Sequence, residues 1–288
     1  MPSRRDVLRL AGGSLPFLAG CVAGPPAGDA ASPESATETS RRTATTPATT
    51  APTTTEPTAD VRIREVTVTP SLVALNSPDS IGTDGDRDDQ FVVAGVGSRG
   101  RLPFDRAAFE LATEETTYAP TAARQVTAYG MLWGHGDPYE PETGGFLLFR
   151  VPNPLAADSV ALRWPDGERS LSEDALRRLR RPPTTFAVRE FAAPASVTTG
   201  SEATLTLTVE NVGDADGTFV AGLNRTGPEI AYAPVEAVPL DAAAGESATW
   251  THSYTPTVPA PDEDLSFDFV MHWRGGDERA TVGVEPRG

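Results

Sequence analysis

From residue 204 to 211 the chain alternates without exception: Leu205, Leu207 and Val209 share one parity, Thr204, Thr206 and Thr208 the other. A period of two sets the aliphatic side chains on one face of a pleated strand and the threonines on the other. The turn Gly213-Asp214-Ala215-Asp216-Gly217 follows, and apolar residues resume over 218–223, as they do over 245–254, 265–273 and 280–285. Upstream, residues 61–69, 90–96, 125–133, 145–151 and 159–164 are short apolar runs bounded by turn residues, which predicts strands. In 145–151, Phe146 and Leu148 face one way while Leu147, Phe149 and Val151 face the other, which predicts a central strand covered on both sides. A single helix is signalled, with Ser172 as N-cap, Glu173 and Asp174 in its first turn, four arginines toward its end and Pro182-Pro183 as its stop.

The pattern gives an all-β fold: two tandem sandwiches, residues 61–184 and 185–288, with about seven strands in the last 100 residues, as a sandwich requires. In the second, Val197, Gly200-Ser201, the run Leu205-Thr206-Leu207-Thr208-Val209-Glu210-Asn211-Val212-Gly213 and Ala244-Gly245-Glu246-Ser247 resemble CARDB-type immunoglobulin-like adhesion or spacer domains. In the first, Gly144-Gly145-Phe146-Leu147-Leu148-Phe149-Arg150-Val151-Pro152, with Phe109-Glu110-Leu111 and Tyr118, resembles immunoglobulin-like lipoprotein domains of the telokin-like, DUF4352 type. Both resemblances imply an immunoglobulin-like sandwich and no particular chemistry.

The first 60 residues follow a different logic. Ser3-Arg4-Arg5-Asp6-Val7-Leu8 resembles a twin-arginine export signal, with Arg4 and Arg5 as the pair that is read. The apolar stretch 8–18 is too short and too broken by Gly12, Gly13 and Pro16 to span a bilayer as a helix. It ends in Leu18-Ala19-Gly20-Cys21, which resembles a lipobox, and Cys21 is the chain's one cysteine. Residues 1–21 thus read as a lipoprotein signal peptide, with Cys21 carrying lipid and two acyl chains needed for a stable anchor. Residues 22–60 are a disordered Thr/Pro-rich linker, with Pro47, Pro52 and Pro57 spaced five apart and too few apolar residues to offset ordering. At about 3.1 Å per residue in polyproline-like chain, such a linker reaches on the order of 100 Å.

Composition then changes how the charge is read. Asp and Glu total 40 against 24 basic residues, a net of −16, and all 24 basic residues are Arg. The absence of Lys beside so many acids resembles proteins of halophilic archaea. In molar salt the Debye length is about 3 Å, so an acidic surface serves hydration and solubility rather than long-range steering. Nucleic acid is excluded as a partner by sign and by compartment.

Candidate chemistry is sparse. Asp84, Asp86, Asp88 and Asp89 form a weak calcium candidate, yet Asp89 stands where an EF-hand needs Gly and Gly95 where it needs Glu. A solvated acidic loop is the plainer account. Gly95, Gly97 and Gly100 mimic a dinucleotide fingerprint, but Pro103 interrupts the helix that must follow. His252 and His272 fall on opposite parities of their strands, against a shared metal, and His135 sits in a predicted exposed loop. Asn224-Arg225-Thr226 is a candidate glycosylation sequon. Arg177, Arg178, Arg180 and Arg181 read either as an anion or glycan site or, preferably, as dipole complement and ion-pair partners for a second domain holding 16 acids against five Arg.

These features favour a non-catalytic, lipid-anchored protein facing the outside of the cell membrane. It would need no cofactor, and its partners would be membrane lipid through Cys21 and another envelope or membrane protein. The alternatives are a secreted carboxylate-dependent hydrolase and the solute-binding subunit of a transporter. Self-repulsion among the acids gives one expected outcome: the fold expands or unfolds when salt drops from molar to millimolar. Denaturation curves measured across that range check this, and curves that superimpose refute it.

Overall fold

The computed structural model describes residues 61–98, 100–228, 230–256 and 265–286, so Arg4, Arg5, Cys21 and the linker 22–60 lie outside it. The described chain is all-β with a single α-helix, its sheets arranged as two sandwiches.

In the first sandwich, β1 (Val61–Thr69), β4 (Asp89–Ser98) and β7 (Gly145–Pro152) form an antiparallel sheet in the order β1-β4-β7. A second sheet has the order β6 (Thr117–Tyr118), β5 (Glu110–Ala112), β8 (Ala161–Trp164), β9 (Gly167–Ser170). Between them Val92, Leu147, Phe149, Leu111 and Leu162 are buried together with Leu179 of helix α1 (Glu173–Arg180). The helix begins as its sequence dictates, with Ser172 Oγ accepting the Ala175 N–H. The reverse face of β4 and β7 is also covered. Phe91, Val93, Phe146 and Leu148 pack under Leu72 and Ala74 of the hairpin β2 (Leu72–Ser77) and β3 (Ser80–Asp84).

The second sandwich pairs the sheet β10 (Phe186–Ala192), β12 (Ala203–Asn211), β15 (Ser247–Tyr254) with a five-stranded sheet. The latter runs β11 (Ser196–Thr198), β17 (Gly276–Glu285), β16 (Leu265–Trp273), β13 (Gly217–Gly227), β14 (Ile230–Ala242). Leu205, Leu207 and Val209 all point inward, facing Leu223, Phe269 and Met271, and each such fully buried side chain contributes about 1.5–3 kcal/mol.

Two sequence expectations give way. The run 125–133 is not a strand. Thr127 Oγ1 donates to the Ala123 carbonyl and accepts the Gly130 N–H, and Gly130 takes a left-handed φ of 71°, so the segment curls into turns. The strand at 145–151 is covered on both faces as its pattern requires, but it flanks β4 instead of lying at the centre of its sheet. Its outer edge is met by Thr121, whose N–H donates to the Leu148 carbonyl at 2.7 Å. Strand β14 escapes sequence detection because Pro234 and Pro239 interrupt it; as an edge strand it tolerates them.

The hairpin β2–β3 belongs to both halves. Its period of two sends Leu72 and Ala74 into the first sandwich and Val73, Leu75 and Ile81 against Val220 of β13. Gly222 of β13 has no side chain here because an added Cβ would lie 3.2 Å from Ile81 Cγ1. Beside it, Asn224 is fully buried: its Oδ1 accepts the Ile81 N–H at 2.7 Å and its Nδ2 donates to the Ile81 carbonyl at 2.7 Å. The candidate glycosylation site is corrected accordingly. With Nδ2 buried and bonded across the junction, the folded chain has no room for a glycan at Asn224.

Replacing Asn224 by Ala strands a buried N–H and a buried C=O, at about 1–3 kcal/mol each. The expected outcome for N224A is a loss of several kcal/mol in denaturant unfolding. Thr226→Ala removes the sequon, keeps the amide, and is expected to change stability by less than about 0.5 kcal/mol. Equal losses in the two variants would contradict this assignment.

Candidate functional site: the junction between the sandwiches

Side chains from both halves converge around a cavity of about 320 Å³ at the junction. The helix contributes Arg178, whose Nη1 and Nη2 donate to the two carboxylate oxygens of Asp241 on β14 at 2.9 and 2.6 Å. Nη1 also meets Thr218 Oγ1 at 3.3 Å, and Nε reaches back to Asp174. This fork matches the planar carboxylate geometrically as well as electrically. The reading of the helix arginines as partners for the second domain therefore holds for Arg178 and for Arg181, whose Nη1 lies 4.0 Å from Asp241 Oδ1. Arg177 pairs within the helix to Asp174, and Arg180 to Asp158.

Two further arginines line the cavity without a carboxylate partner among the described residues. Arg87, on the turn between β3 and β4, donates to Thr185 Oγ1 at 3.0 Å and to the Pro183 carbonyl at 3.3 Å. Arg274, on the turn between β16 and β17, donates from Nε to the Gly85 carbonyl at 3.2 Å. Its Nη2 bonds the Pro70 carbonyl, and Ser71 Oγ at 2.7 Å. Each arginine crosses from one sandwich to the other. Loss of hydration, reinforced by the nearby Arg87 charge, pulls the pKa of Arg274 below its ordinary value, with Asp86 and Asp89 opposing. Phe186, Phe219 and Trp273 form an adjoining aromatic wall, the rings 5.8 and 6.1 Å apart in succession.

The other sequence candidates are dispersed. Asp84 ends β3, Asp86 and Asp88 lie in the turn and Asp89 opens β4; Asp86 and Asp89 both answer Arg150 instead of turning toward a common centre. Among the described residues no group of three or more His, Cys, Asp or Glu is placed to hold a metal ion. His252 stacks on Trp250 at 5.7 Å and bonds Glu236 through Nδ1 at 3.1 Å. His272 lies on β16, and its neighbours Met271 and Trp273 turn to the opposite face. His135 stands on an exposed loop beside Phe146. Sequence reasoning passed over Arg87 and Arg274 as site residues and named Asn224 only as a glycosylation sequon. No local pattern joins Arg87 to Arg274, since only the fold brings them to one cavity.

Two carboxylates at the junction carry opposite pH dependences. Burial disfavours ionisation of Asp241, yet hydrogen bonds from Arg178 and Thr218 outweigh it and hold the carboxyl below its ordinary range. A depressed folded pKa stabilises above the unfolded pKa and is lost on acidification. Asp241→Asn is therefore expected to cost up to about 1 kcal/mol at pH 7, Asp241 being half exposed, and progressively less below about pH 4. Burial raises Asp84 instead. Asp84→Asn is expected to stabilise slightly at pH 7, with the difference vanishing once both forms are neutral at acid pH. Thermal unfolding from pH 3 to 8 checks both, and parallel shifts of the two variants would refute the assignment.

A scan against protein-family models finds none that matches the chain, and a search of curated proteins finds no match. Solved structures do show similarity. A β-glucosidase from Erythrobacter marinus is 14% identical over 35% of this chain and 16% of that one, with a TM-score of 0.30. An alkylpurine DNA glycosylase from Pseudomonas fluorescens is 12% identical over 35% and 31%, at 0.31. The CARDB domain of a Pyrococcus furiosus protein, in complex with di-metal ions, is 13% identical over 36% and 96%, at 0.27. The matched segment thus spans 16% of the glucosidase and 31% of the glycosylase, and none of the three carries an argument about chemistry.

Proposed function

We propose that this protein is a non-catalytic module of the cell envelope, held to the membrane by lipid on Cys21 and carried outward on its Thr/Pro linker to bind a ligand or a partner protein. The observation that carries the reading is the junction: two sandwiches locked through Asn224, Arg178 and the shared hairpin, with a cavity between them. A bare spacer needs neither a locked junction nor a cavity, whereas a binding module gains from a site preorganised between rigid elements. A carboxylate hydrolase calls for two carboxylates facing one another across a concave site. At this cavity arginines outnumber acids, with Asp216 lining it and Asp241 already engaged by Arg178. No helix among the described residues is long and apolar enough to cross a membrane, so the anchor in this reading is Cys21.

Substitution of Cys21 by Ser is the direct test. The expected outcome is release of the protein from the membrane fraction into the medium and loss of the lipid mass at the mature N-terminus. Unchanged membrane retention, or a wild-type N-terminus without acyl groups by mass spectrometry, overturns the reading.

A further inference from the structure

We propose that the junction cavity binds a small organic monoanion, its charged head held between Arg87 and Arg274 and its apolar body lying against Phe186 and Trp273. The inference rests on the ligand-binding part of the function proposed above and is independent of the lipid anchor.

What sets these two arginines apart is that both line one cavity without a bonded carboxylate among the described residues. Several others are answered by carboxylates, Arg101 by Glu142, Arg163 by Glu168, Arg189 by Glu210 and Arg279 by Asp268, while Arg169 meets the Ile63 carbonyl and Arg225 lies over the Tyr254 and Phe267 rings, away from that cavity. Arg87 and Arg274 meet carbonyl and hydroxyl oxygens instead; loss of hydration and, after it, the nearby Arg87 charge disfavour the charged form of Arg274, with Asp86 and Asp89 opposing. A guanidinium carries five N–H donors, of which these bonds use two on Arg87 and three on Arg274, so both retain donors for a further acceptor. An anion placed between them converts a repulsion into charge-assisted hydrogen bonds, and a planar carboxylate suits the fork.

The rest of the cavity selects the body of the ligand. A volume of about 320 Å³ lies at the small end for a ligand site and suits a single ring or a short chain. The aromatic wall rewards an apolar group over a hydrated inorganic ion. Asp216 lines the same cavity and disfavours a second negative charge. Because Arg87 belongs to the first sandwich and Arg274 to the second, the ligand fastens the two together and stabilises only the folded state.

Benzoate, acetate and inorganic phosphate titrated separately into the purified full chain, in molar potassium chloride at fixed ionic strength, test the proposal by calorimetry and thermal unfolding. The expected result is one saturable benzoate site that raises the Tm, with acetate and phosphate weaker. Arg274→Gln and Arg87→Gln are each expected to weaken benzoate at least about tenfold, whereas Arg101→Gln leaves it unchanged. Should one cavity variant fail to fold, the other still decides. No saturable binding, phosphate binding more tightly than benzoate, or undiminished affinity in both cavity variants overturns the proposal. Benzoate binding by a protein that is shed from cells upholds the cavity and sinks the anchor; an anchored protein that ignores all three anions does the reverse.

Discussion

One side-chain amide holds the arrangement of this protein together. Asn224 presents a carbonyl oxygen and an N–H₂ group in the geometry of a peptide unit, and both are bound to the peptide groups of Ile81. A strand of the second sandwich thereby completes the hydrogen bonding of a hairpin in the first, without backbone pairing between them. Buried peptide groups must find partners, so the docking position is specified far more sharply than apolar contact alone would specify it. Val73, Ile81, Val220 and the bare backbone of Gly222 fill the space around the amide.

Everything at the junction follows from that placement. Fixing β13 against β3 brings β14 beneath the helix, which lets Asp241 receive the fork of Arg178. It also brings the β16–β17 turn against the acidic β3–β4 turn, which is where Arg274 finds the Gly85 carbonyl. The cavity is what remains between these contacts, bounded by charge on one side and aromatic rings on another.

The acidity of the chain thus has two meanings. Over most of the surface it is a diffuse property, and several arginines are paired with nearby carboxylates. At the junction it becomes specific, because two arginines bond oxygens that carry no formal charge, and Arg274 feels Asp86 and Asp89 only through space. The function proposed here is an extension of that local imbalance.

By itself the sequence determined the local periodicities and whatever they imply: the all-β class, the inward faces of β12 and β16, the two-sided burial at 145–151 and the helix with its cap. Each of these is encoded within about ten consecutive residues, where a period or a cap acts over the neighbours it needs. What only the tertiary structure decided has no such local code. Leu75 and Ile81 show the alternation of any hairpin, and nothing in it says that the outward face meets a second domain. Pro234 and Pro239 argue against a strand until β14 proves to be an edge. Asn224 reads as a sequon because its triplet is local, whereas its partner Ile81 lies 143 residues away. Arg87 and Arg274 are likewise brought to one cavity only by the folding of the chain between them, since attraction through space depends on distance in the fold and not on separation along the chain.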